Sequence, residues 1–241
     1  TEADQDATAS AAGSSAGPTA IVTGASSGIG AAVAVRLAAE GYQVHALARR
    51  AERLDELASG GGSAGVGEIV PHVLDVRDSA GLMALVDQIV DGADAVDVLV
   101  NNAGLGRMNG TLAEATLDDI ARTVDTNITA VMVATRAVLP HMIEQRSGHV
   151  VNIGSMAGLY PVSSATYGAS KAAIYRLSTN LRLELRGTGV RVTEINPGRV
   201  ATEFYDVAVD DPQRRAAAKE SGIDEVTAND VADAIAYALS V

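Results

Sequence analysis

The apolar residues of this sequence fall into short continuous runs, separated by longer stretches with helical spacing. The runs predict six β-strands, over Thr19–Thr23, Tyr42–Ala48, Ile69–Leu74, Val96–Val100, Gly148–Ile153 and Val190–Ile195. The stretches between them predict a helix that ends at Glu40 and five more, over Ala51–Ala58, Ala80–Val90, Leu117–Gln145, Ala165–Arg186 and Thr227–Leu239.

This alternation of strands and helices predicts an α/β fold. Strand–helix–strand units form right-handed crossovers, so we expect a doubly wound parallel sheet with helices on both faces. One domain over residues 19–241 accommodates all of these elements. Ligands of such sheets bind beyond the carboxyl ends of the strands, so the residues that follow each strand are the candidates for chemistry.

Composition narrows the partners of this domain. Hydrophobic residues make up 47% of the chain, which is enough for a sizeable core, and the formal net charge is −12. An acidic chain repels nucleic acid and anionic membrane surfaces, so we expect neither as a partner. Cysteine is absent, and the four histidines lack the spacing of helical metal ligands. We therefore predict no metal site.

The first 18 residues differ from the rest of the chain. They are rich in Ala, Ser and Gly, acidic, and without the apolar run of a signal peptide. No later segment has about 20 uninterrupted apolar residues, the length that spans a membrane. We interpret residues 1–18 as a flexible leader and expect a cytoplasmic protein.

A glycine-rich turn lies between the first strand and the first helix. Glycines allow a tight turn there and let the backbone approach a pyrophosphate, which the free N–H groups at the helix start bind. A plain tight turn is the alternative, but the strand before and the helix after favour a nucleotide. The candidate cofactor-binding residues of this turn are Gly24, Ser26, Ser27, Gly28, Ile29 and Gly30.

The end of the second strand indicates which nucleotide is bound. An NAD enzyme usually places a carboxylate there for the ribose 2′-hydroxyl, but this chain has Ala48 followed by Arg49 and Arg50. A guanidinium group suits a 2′-phosphate, so we predict NADP(H). The alternative is that both arginines only open a charged surface helix.

Two further strand ends supply weaker candidates. Asp75 and Val76 follow the third strand, where a carboxylate accepts from an adenine amino group or caps the next helix. Asn101, Ala103 and Gly104 belong to an Asn-Asn-Ala-Gly segment after the fourth strand. Amide side chains there pin neighbouring backbone, and small residues leave room for a flat ligand.

Tyr167 and Lys171 are four residues apart and share one face of the predicted fifth helix. A free phenol has a pKa near 10, and a nearby positive charge lowers it, which makes Tyr167 a usable general acid or base. Ser155 follows the fifth strand, where its hydroxyl can hold a substrate oxygen. The Tyr–Lys spacing alone is common by chance, and its position after the fifth strand makes it informative.

Together these segments resemble the short-chain dehydrogenase/reductase family over about residues 19–240. The resemblance implies a Rossmann-like sheet. It also implies proton transfer by Tyr167, substrate orientation by Ser155, and contact of Lys171 with the nicotinamide ribose. Asn127 matches the family's anchor for a relay water. The segment after the sixth strand resembles the nicotinamide-side loop, which adds Pro197, Gly198, Val200 and Thr202 to the cofactor-binding residues.

The resemblance also implies features of the substrate side and of assembly. We expect a lid at about residues 201–225 and a partly apolar pocket of Met108, Met156, Tyr160, Phe204 and Tyr205. Arg107 or Arg199 is a candidate for holding a substrate carboxylate, although a solvent-facing role is the simpler interpretation. We expect a homodimer or homotetramer. The family's usual seventh strand has no counterpart before Val241.

The expected activity is hydride transfer between NADP(H) and a small-molecule carbonyl or secondary alcohol. Segments near residues 190–195 and 201–204 are similar to a branch that oxidises 3-hydroxy acids and β-hydroxy amino acids. One alternative is a catalytically silent NADP-binding regulator. An epimerase or dehydratase that uses the same turn and the same Tyr–Lys pair is another.

Overall fold

The computed structural model describes residues 17–61, 67–107, 109–162, 164–220, 222 and 224–241. Most of the predicted leader and the predicted pocket residue Met108 therefore lie outside the described residues. Among the described helices, none is both long enough and apolar enough to cross a membrane.

Six parallel strands form the central sheet, in the spatial order β3-β2-β1-β4-β5-β6. They span Thr19–Thr23, Gln43–Ala48, Glu68–Val73, Val98–Asn101, Gly148–Ile153 and Val190–Ile195, numbered β1 to β6. The chain reverses its direction of travel across the sheet between β1 and β4. The prediction of a doubly wound, Rossmann-like parallel sheet is confirmed, and this reversal is where such sheets bind ligands.

Helices cover both faces of the sheet. They are α1 to α9, over Gly28–Ala39, Ala51–Gly61, Ser79–Gly92, Leu117–Val124, Ala130–Glu144, Ala165–Glu184, Phe204–Ala208, Pro212–Lys219 and Ala228–Ser240. Side chains alternate along each strand, so Val22 packs with α1, α2 and α9, whereas Ile21 packs with α3, α5 and α6. Two apolar cores enclose the sheet and leave its carboxyl edge open.

The predicted helix over Leu117–Gln145 is not one regular helix. A π-helical turn at Asp125–Thr129 separates α4 from α5. The extra residue in a π turn redirects the side chains after it, and such turns are frequent at functional sites. The buried Asn127 lies in this turn, with 1% of its surface exposed.

Other differences concern the ends of elements. Helix α2 continues through Ser59 and Gly60, where the sequence predicted a loop, and the Ser59 hydroxyl donates to the Asp55 carbonyl at 2.7 Å. The sequence also did not predict two short strands, β7 (Val200–Ala201) and β8 (Val226–Thr227). These pair with each other and bracket the segment that contains α7 and α8.

Candidate active site

A cleft of about 1100 Å³ opens at the carboxyl edge of the sheet. It is lined by most of the candidate residues selected from the sequence, namely Gly24, Ser26, Ser27, Gly28, Ile29, Arg49, Arg50, Asp75, Val76, Ala103, Gly104, Ser155, Tyr167, Lys171, Pro197, Gly198, Val200 and Thr202. Residues from distant parts of the chain therefore meet in one site, as the predicted topology requires. Gly30, Asn101 and Asn127 do not line the cleft, and each lies behind its wall.

The glycine-rich turn is fitted closely against the segment after β4. Gly24 has a φ of +68°, and a Cβ atom there would lie 2.8 Å from the Ala103 Cα atom. The Asn102 side chain donates to the carbonyls of Thr23 (2.9 Å) and Gly24 (3.2 Å). The asparagine after β4 thus holds the turn in place, and Gly30 packs beneath it against the same side chain.

Arg50 joins the end of β2 to the glycine-rich turn. Its guanidinium group donates to the Ser26 hydroxyl at 3.0 Å and to the Ser27 hydroxyl at 2.6 Å. Glu203 forms ion pairs with Arg50 at 3.1 Å and with Arg53 at 2.7 Å. Arg49 and Arg50 both line the cleft, so a cationic group with two hydroxyls stands at this end of it. The arrangement suits a phosphate monoester.

Asp75 is held by a cation that sequence reasoning missed. The Arg77 guanidinium donates to both Asp75 oxygens at 2.6 to 3.1 Å, and this hydrogen bonding lowers the pKa of Asp75. Asp78, not Asp75, caps helix α3 by accepting from the Gly81 amide. The helix-cap alternative for Asp75 is therefore wrong. A spacing of two residues between Asp75 and Arg77 was the available signal.

Asn101 links secondary structure elements beneath the cleft. It is 3% exposed, and its amide donates to Thr135 Oγ1 at 3.0 Å and to Asn152 Oδ1 at 2.9 Å. These bonds tie β4 to β5 and α5. The sequence predicted that Asn101 contacts the cofactor directly. The structure does not support this, because the side chain points into the core rather than into the cleft.

Asn127 connects the π turn to the catalytic helix. Its Oδ1 accepts from the Leu105 amide at 2.7 Å, and its Nδ2 donates to the Leu105 carbonyl and to the Ser170 hydroxyl. Ser170 in turn donates to the Tyr167 carbonyl at 2.7 Å. Asn127 therefore braces the loop after β4 against the first turns of α6.

Ser155, Tyr167 and Lys171 meet at the other end of the cleft from the arginines. The Ser155 side chain lies close enough to the Tyr167 phenol to lower its pKa, and the Lys171 ammonium donates to the Ile153 carbonyl at 2.7 Å. Ser164 begins α6 by accepting from the Tyr167 amide, which sets the register of the helix. The carbonyl end of β5 and the start of α6 thus bring the three side chains together.

Burial has the largest effect on the pKa values of Tyr167 and Lys171. Desolvation raises the pKa of Tyr167, and the hydrogen bond from Ser155 opposes part of that rise. Desolvation also lowers the pKa of Lys171 to about 8, while the charge of Glu194 acts against it. In the protein alone, burial therefore outweighs the pKa lowering that the sequence led us to expect Lys171 to exert on Tyr167.

Aromatic residues of the 201–225 segment cover the catalytic group. The Phe204 ring lies 5.5 Å from the Tyr167 ring, and Tyr205 packs edge-on against Phe204. Met156 also lines the cleft, whereas Tyr160 does not and is 62% exposed. The pocket prediction thus includes one residue, Tyr160, that the structure places on the surface.

The two candidate arginines for a substrate carboxylate have different surroundings. Arg107 does not line the cleft, because Asp119 and Asp210 hold its guanidinium at 2.6 Å each. Arg199 lines the cleft, forms an ion pair with Glu225, and lies 4.7 Å from the centre of the Tyr205 ring. A third arginine, Arg214 of α8, also lines the cleft and was missed by sequence reasoning.

A family comparison agrees with this geometry. The sequence model described as short chain dehydrogenase matches residues 18–213, which is most of the chain. The protein belongs to the short-chain dehydrogenase family.

Individual relatives are similar over nearly the whole chain. A probable NADP-dependent dehydrogenase of Haemophilus influenzae is 37% identical over 221 residues, covering 91% of this chain and 86% of that protein. An NADP-dependent 3-hydroxy acid dehydrogenase of Salmonella typhi is 38% identical over 217 residues, covering 89% and 86%. The closed form of a serine dehydrogenase complexed with NADP+ superposes with a TM-score of 0.82 at 37% identity, covering 92% and 89%.

Proposed function

We propose that this protein transfers hydride between NADP(H) and a carbonyl or secondary alcohol, with Tyr167 as the proton donor and acceptor. Its assignment as an NADP-dependent oxidoreductase of the short-chain dehydrogenase family follows from the family match and the relatives. The observation that carries the catalytic part is that Ser155, Tyr167 and Lys171 line one cleft, with the Ser155 side chain near enough to the Tyr167 phenol to lower its pKa.

The residues of the cleft fit NADP(H). Arg49 and Arg50, with the hydroxyls of Ser26 and Ser27, suit the 2′-phosphate. Ser27, the residue before α1, makes no side-chain capping hydrogen bond, so the amides at the start of α1 are available to a pyrophosphate. Lys171 is the residue that we assign to the nicotinamide ribose, and Val200 and Thr202 also line the cleft, with Thr202 close to Gly28 of the glycine-rich turn.

NADP(H) supplies or accepts the hydride, and the protein's residues manage the oxygen and its proton. During reduction, the hydroxyls of Ser155 and Tyr167 donate to the substrate oxygen and stabilise the negative charge that develops there. The Tyr167 proton then passes to that oxygen, and the Lys171 charge stabilises the remaining phenolate. Asn127 keeps α6 and the loop after β4 in register for this transfer.

The segment over residues 201–225 forms the lid in this proposal. Phe204 against Tyr167 places an apolar ring beside the reacting oxygen and excludes water from it. The lid is anchored through Glu203 to Arg50, which precedes α2, and to Arg53 of α2, and through Asp210 to Arg107. Arg107 thus acts on the lid rather than on a substrate.

The finer proposal is that the alcohol substrate carries an acid group, as in 3-hydroxy acids and β-hydroxy amino acids. Two of the relatives described above act on such compounds according to their names. In this chain, two arginines next to or within the 201–225 segment, Arg199 and Arg214, line the cleft and are the candidates for holding such a group. Cytoplasmic location and assembly into a dimer or tetramer stay predictions, for cell fractionation and light scattering to test.

Tyr167→Phe tests the proposal. We expect it to lower turnover by about 100- to 10,000-fold, because it removes the proton that general acid catalysis requires. NADPH oxidation with a panel of aldehydes, ketones and 3-oxo acids measures the rate, and NADPH fluorescence measures binding, which should be retained. Tyr175→Phe, at an exposed tyrosine of the same helix, is the matched control.

Three outcomes would contradict this proposal. Substantial residual activity in Tyr167→Phe would remove the assigned role of the phenol. A wild-type protein that binds NADPH tightly and turns over no compound would favour the silent regulator. Substrate conversion without net NADPH oxidation would favour an epimerase or a dehydratase.

A further inference from the structure

Glu194 is a carboxylate that the proposed reaction does not use, yet it lies directly behind the catalytic group. It occupies the carboxyl end of β6, where it pairs in register with Asn152 of β5. A Cβ atom at Gly154 would lie 2.5 Å from Glu194 Oε1 and 2.1 Å from Asn196 Oδ1. The backbone between β5 and Ser155 therefore runs in contact with the carboxylate, which requires glycine at position 154.

Lys171 approaches the same stretch of backbone from α6. Its ammonium donates to the carbonyl of Ile153, the residue before Gly154, and the side chain is buried. A buried ammonium ion is costly unless an opposite charge compensates it. Within the described residues no carboxylate lies within ion-pair distance of Lys171. Glu194 is the carboxylate that raises the pKa of Lys171 against the effect of burial.

The surroundings of Glu194 come from β6 and α6. Burial raises the pKa of the Glu194 carboxyl, and the side chains of Asn196 and Ser178 and the cations Arg182 and Lys171 of α6 oppose this rise by favouring its ionised form. Arg182 already donates to the Val192 carbonyl at 2.9 Å. In the described part of the chain, Glu194 Oε1 is buried without a hydrogen-bond partner. Burial without a hydrogen-bond partner is costly for such an oxygen, and a neighbouring cation offsets part of that cost.

Asn196 connects the carboxylate to the catalytic serine. Its Oδ1 accepts from the Ser155 amide at 3.0 Å, and its side chain also stabilises the ionised Glu194. Ser155 begins a 3-10 turn over Met156–Gly158, so its backbone orientation sets where its hydroxyl points. Glu194 is thereby placed to influence two members of the catalytic group from behind.

We propose that Glu194 is a positioning residue, whose half-buried carboxylate lies behind Lys171 as its counter-charge and, through Asn196, fixes the backbone at Ser155. The inference rests on the proposed function only for its catalytic consequence. Without the carboxylate, Lys171 loses its proton at lower pH, and the phenolate of Tyr167 loses part of its stabilisation.

The experiment exploits the lysine content of the chain, which is only Lys171 and Lys219. Protein labelled with ¹³C-lysine gives two side-chain signals, and Lys219→Arg assigns them. The Lys171 signal should titrate near pH 8 in the wild type, and Glu194→Gln should lower that midpoint by roughly 0.5 to 1 pH unit. Glu194→Asp should produce a smaller shift, because aspartate keeps the negative charge but its shorter side chain holds that charge farther from Lys171.

Glu184→Gln, at an exposed residue of the same helix as Lys171, is the matched control and should leave the midpoint unchanged. An unchanged Lys171 midpoint in Glu194→Gln overturns the inference. If Glu194→Gln does not fold, Glu194→Asp decides, since an unshifted midpoint there overturns it equally. Tyr167→Phe is measured in parallel. An active Tyr167→Phe would refute the proposed function. The titration of Lys171 would still show, independently, whether Glu194 acts on Lys171.

The catalytic consequence is read from pH profiles of NADPH-linked turnover, with the compound that the carbonyl panel shows to react fastest. In the alcohol-oxidising direction, Glu194→Gln should move the acidic limb of kcat/KM upward by a similar fraction of a pH unit. A variant that only loses stability would lower kcat at every pH without moving the limb, and that result would overturn the positioning role.

Discussion

At the residue scale, we expect Arg50 to contribute to the choice of cofactor. Its guanidinium is oriented by Ser26 and Ser27 and lines the cleft beside Arg49, which is the geometry of a site for a phosphate monoester. From the sequence, Arg49 and Arg50 are both candidates, with Arg49 the expected contact of the 2′-phosphate. Adjacency in sequence does not say which side chain faces the glycine-rich turn. The hydrogen bonds single out Arg50 as the arginine joined to that turn.

Arg50→Ala should weaken NADPH binding by about 10- to 100-fold and NADH binding by less than about two-fold. Only NADPH carries the 2′-phosphate, so only NADPH loses a charge-assisted contact in this variant. Titration of cofactor fluorescence measures both constants. Arg53→Ala is the control, since Arg53 also pairs with Glu203 but does not line the cleft. Equal losses for the two cofactors would contradict a 2′-phosphate site at Arg50.

At the scale of elements, the lid segment depends on contacts made far away in sequence. Glu203 pairs with Arg50 and Arg53, and Asp210 pairs with Arg107 after β4. The short strands β7 and β8 close the base of the segment. Helix α7 has only five residues, so its order comes from these contacts rather than from helix propensity.

Glu203→Gln should make the lid open more often. We expect trypsin to cleave after Arg214 or Arg215 about two- to five-fold faster, because exposed ion pairs contribute modestly and local opening controls cleavage. Mass spectrometry of timed digests locates and quantifies the cut. Asp233→Asn, which removes a surface ion pair of α9 with Arg36, should leave the rate unchanged. A wild-type cleavage rate in Glu203→Gln would argue against a role of the Glu203 ion pairs in holding the lid.

At the scale of the whole molecule, buried histidines make folding sensitive to acid. His149 is 3% exposed, and burial lowers its pKa to about 4. Burial also lowers the pKa of His45 to about 4 and lowers that of its stacked neighbour His72. The unfolded chain therefore binds more protons than the folded chain between about pH 6.5 and pH 4. Stability is present in full above pH 6.5 and is lost as the pH falls through this window.

His149→Gln should reduce this acid sensitivity. The glutamine amide can replace the contact of His149 Nε2 with Thr193 Oγ1 at 2.7 Å, but it takes up no proton. The fall in Tm from pH 7 to pH 4.5 should be smaller in the variant than in the wild type by roughly 3 to 6 °C. Thermal unfolding followed by circular dichroism measures it, and equal falls in both proteins would contradict the role of His149.

The sequence by itself determined the sheet, the order of its helices and most of the cleft. Strand and helix periodicities are local, and the crossover rule then brings all strand ends to one edge. That is why Gly24, Ser155 and Tyr167 can be identified as site residues from their positions along the chain. The NADP preference likewise followed from the residues after β2.

The tertiary structure decided which side chains face the cleft and which charges are buried together. Asn101 and Asn127 brace the site from behind, Arg107 is held by two carboxylates, and Glu194 lies behind Lys171. The π turn at residues 125–129 and the contact between His45 and His72 are likewise visible only in the tertiary structure. Side-chain direction and desolvation depend on packing between distant segments, and no local pattern in the chain encodes them.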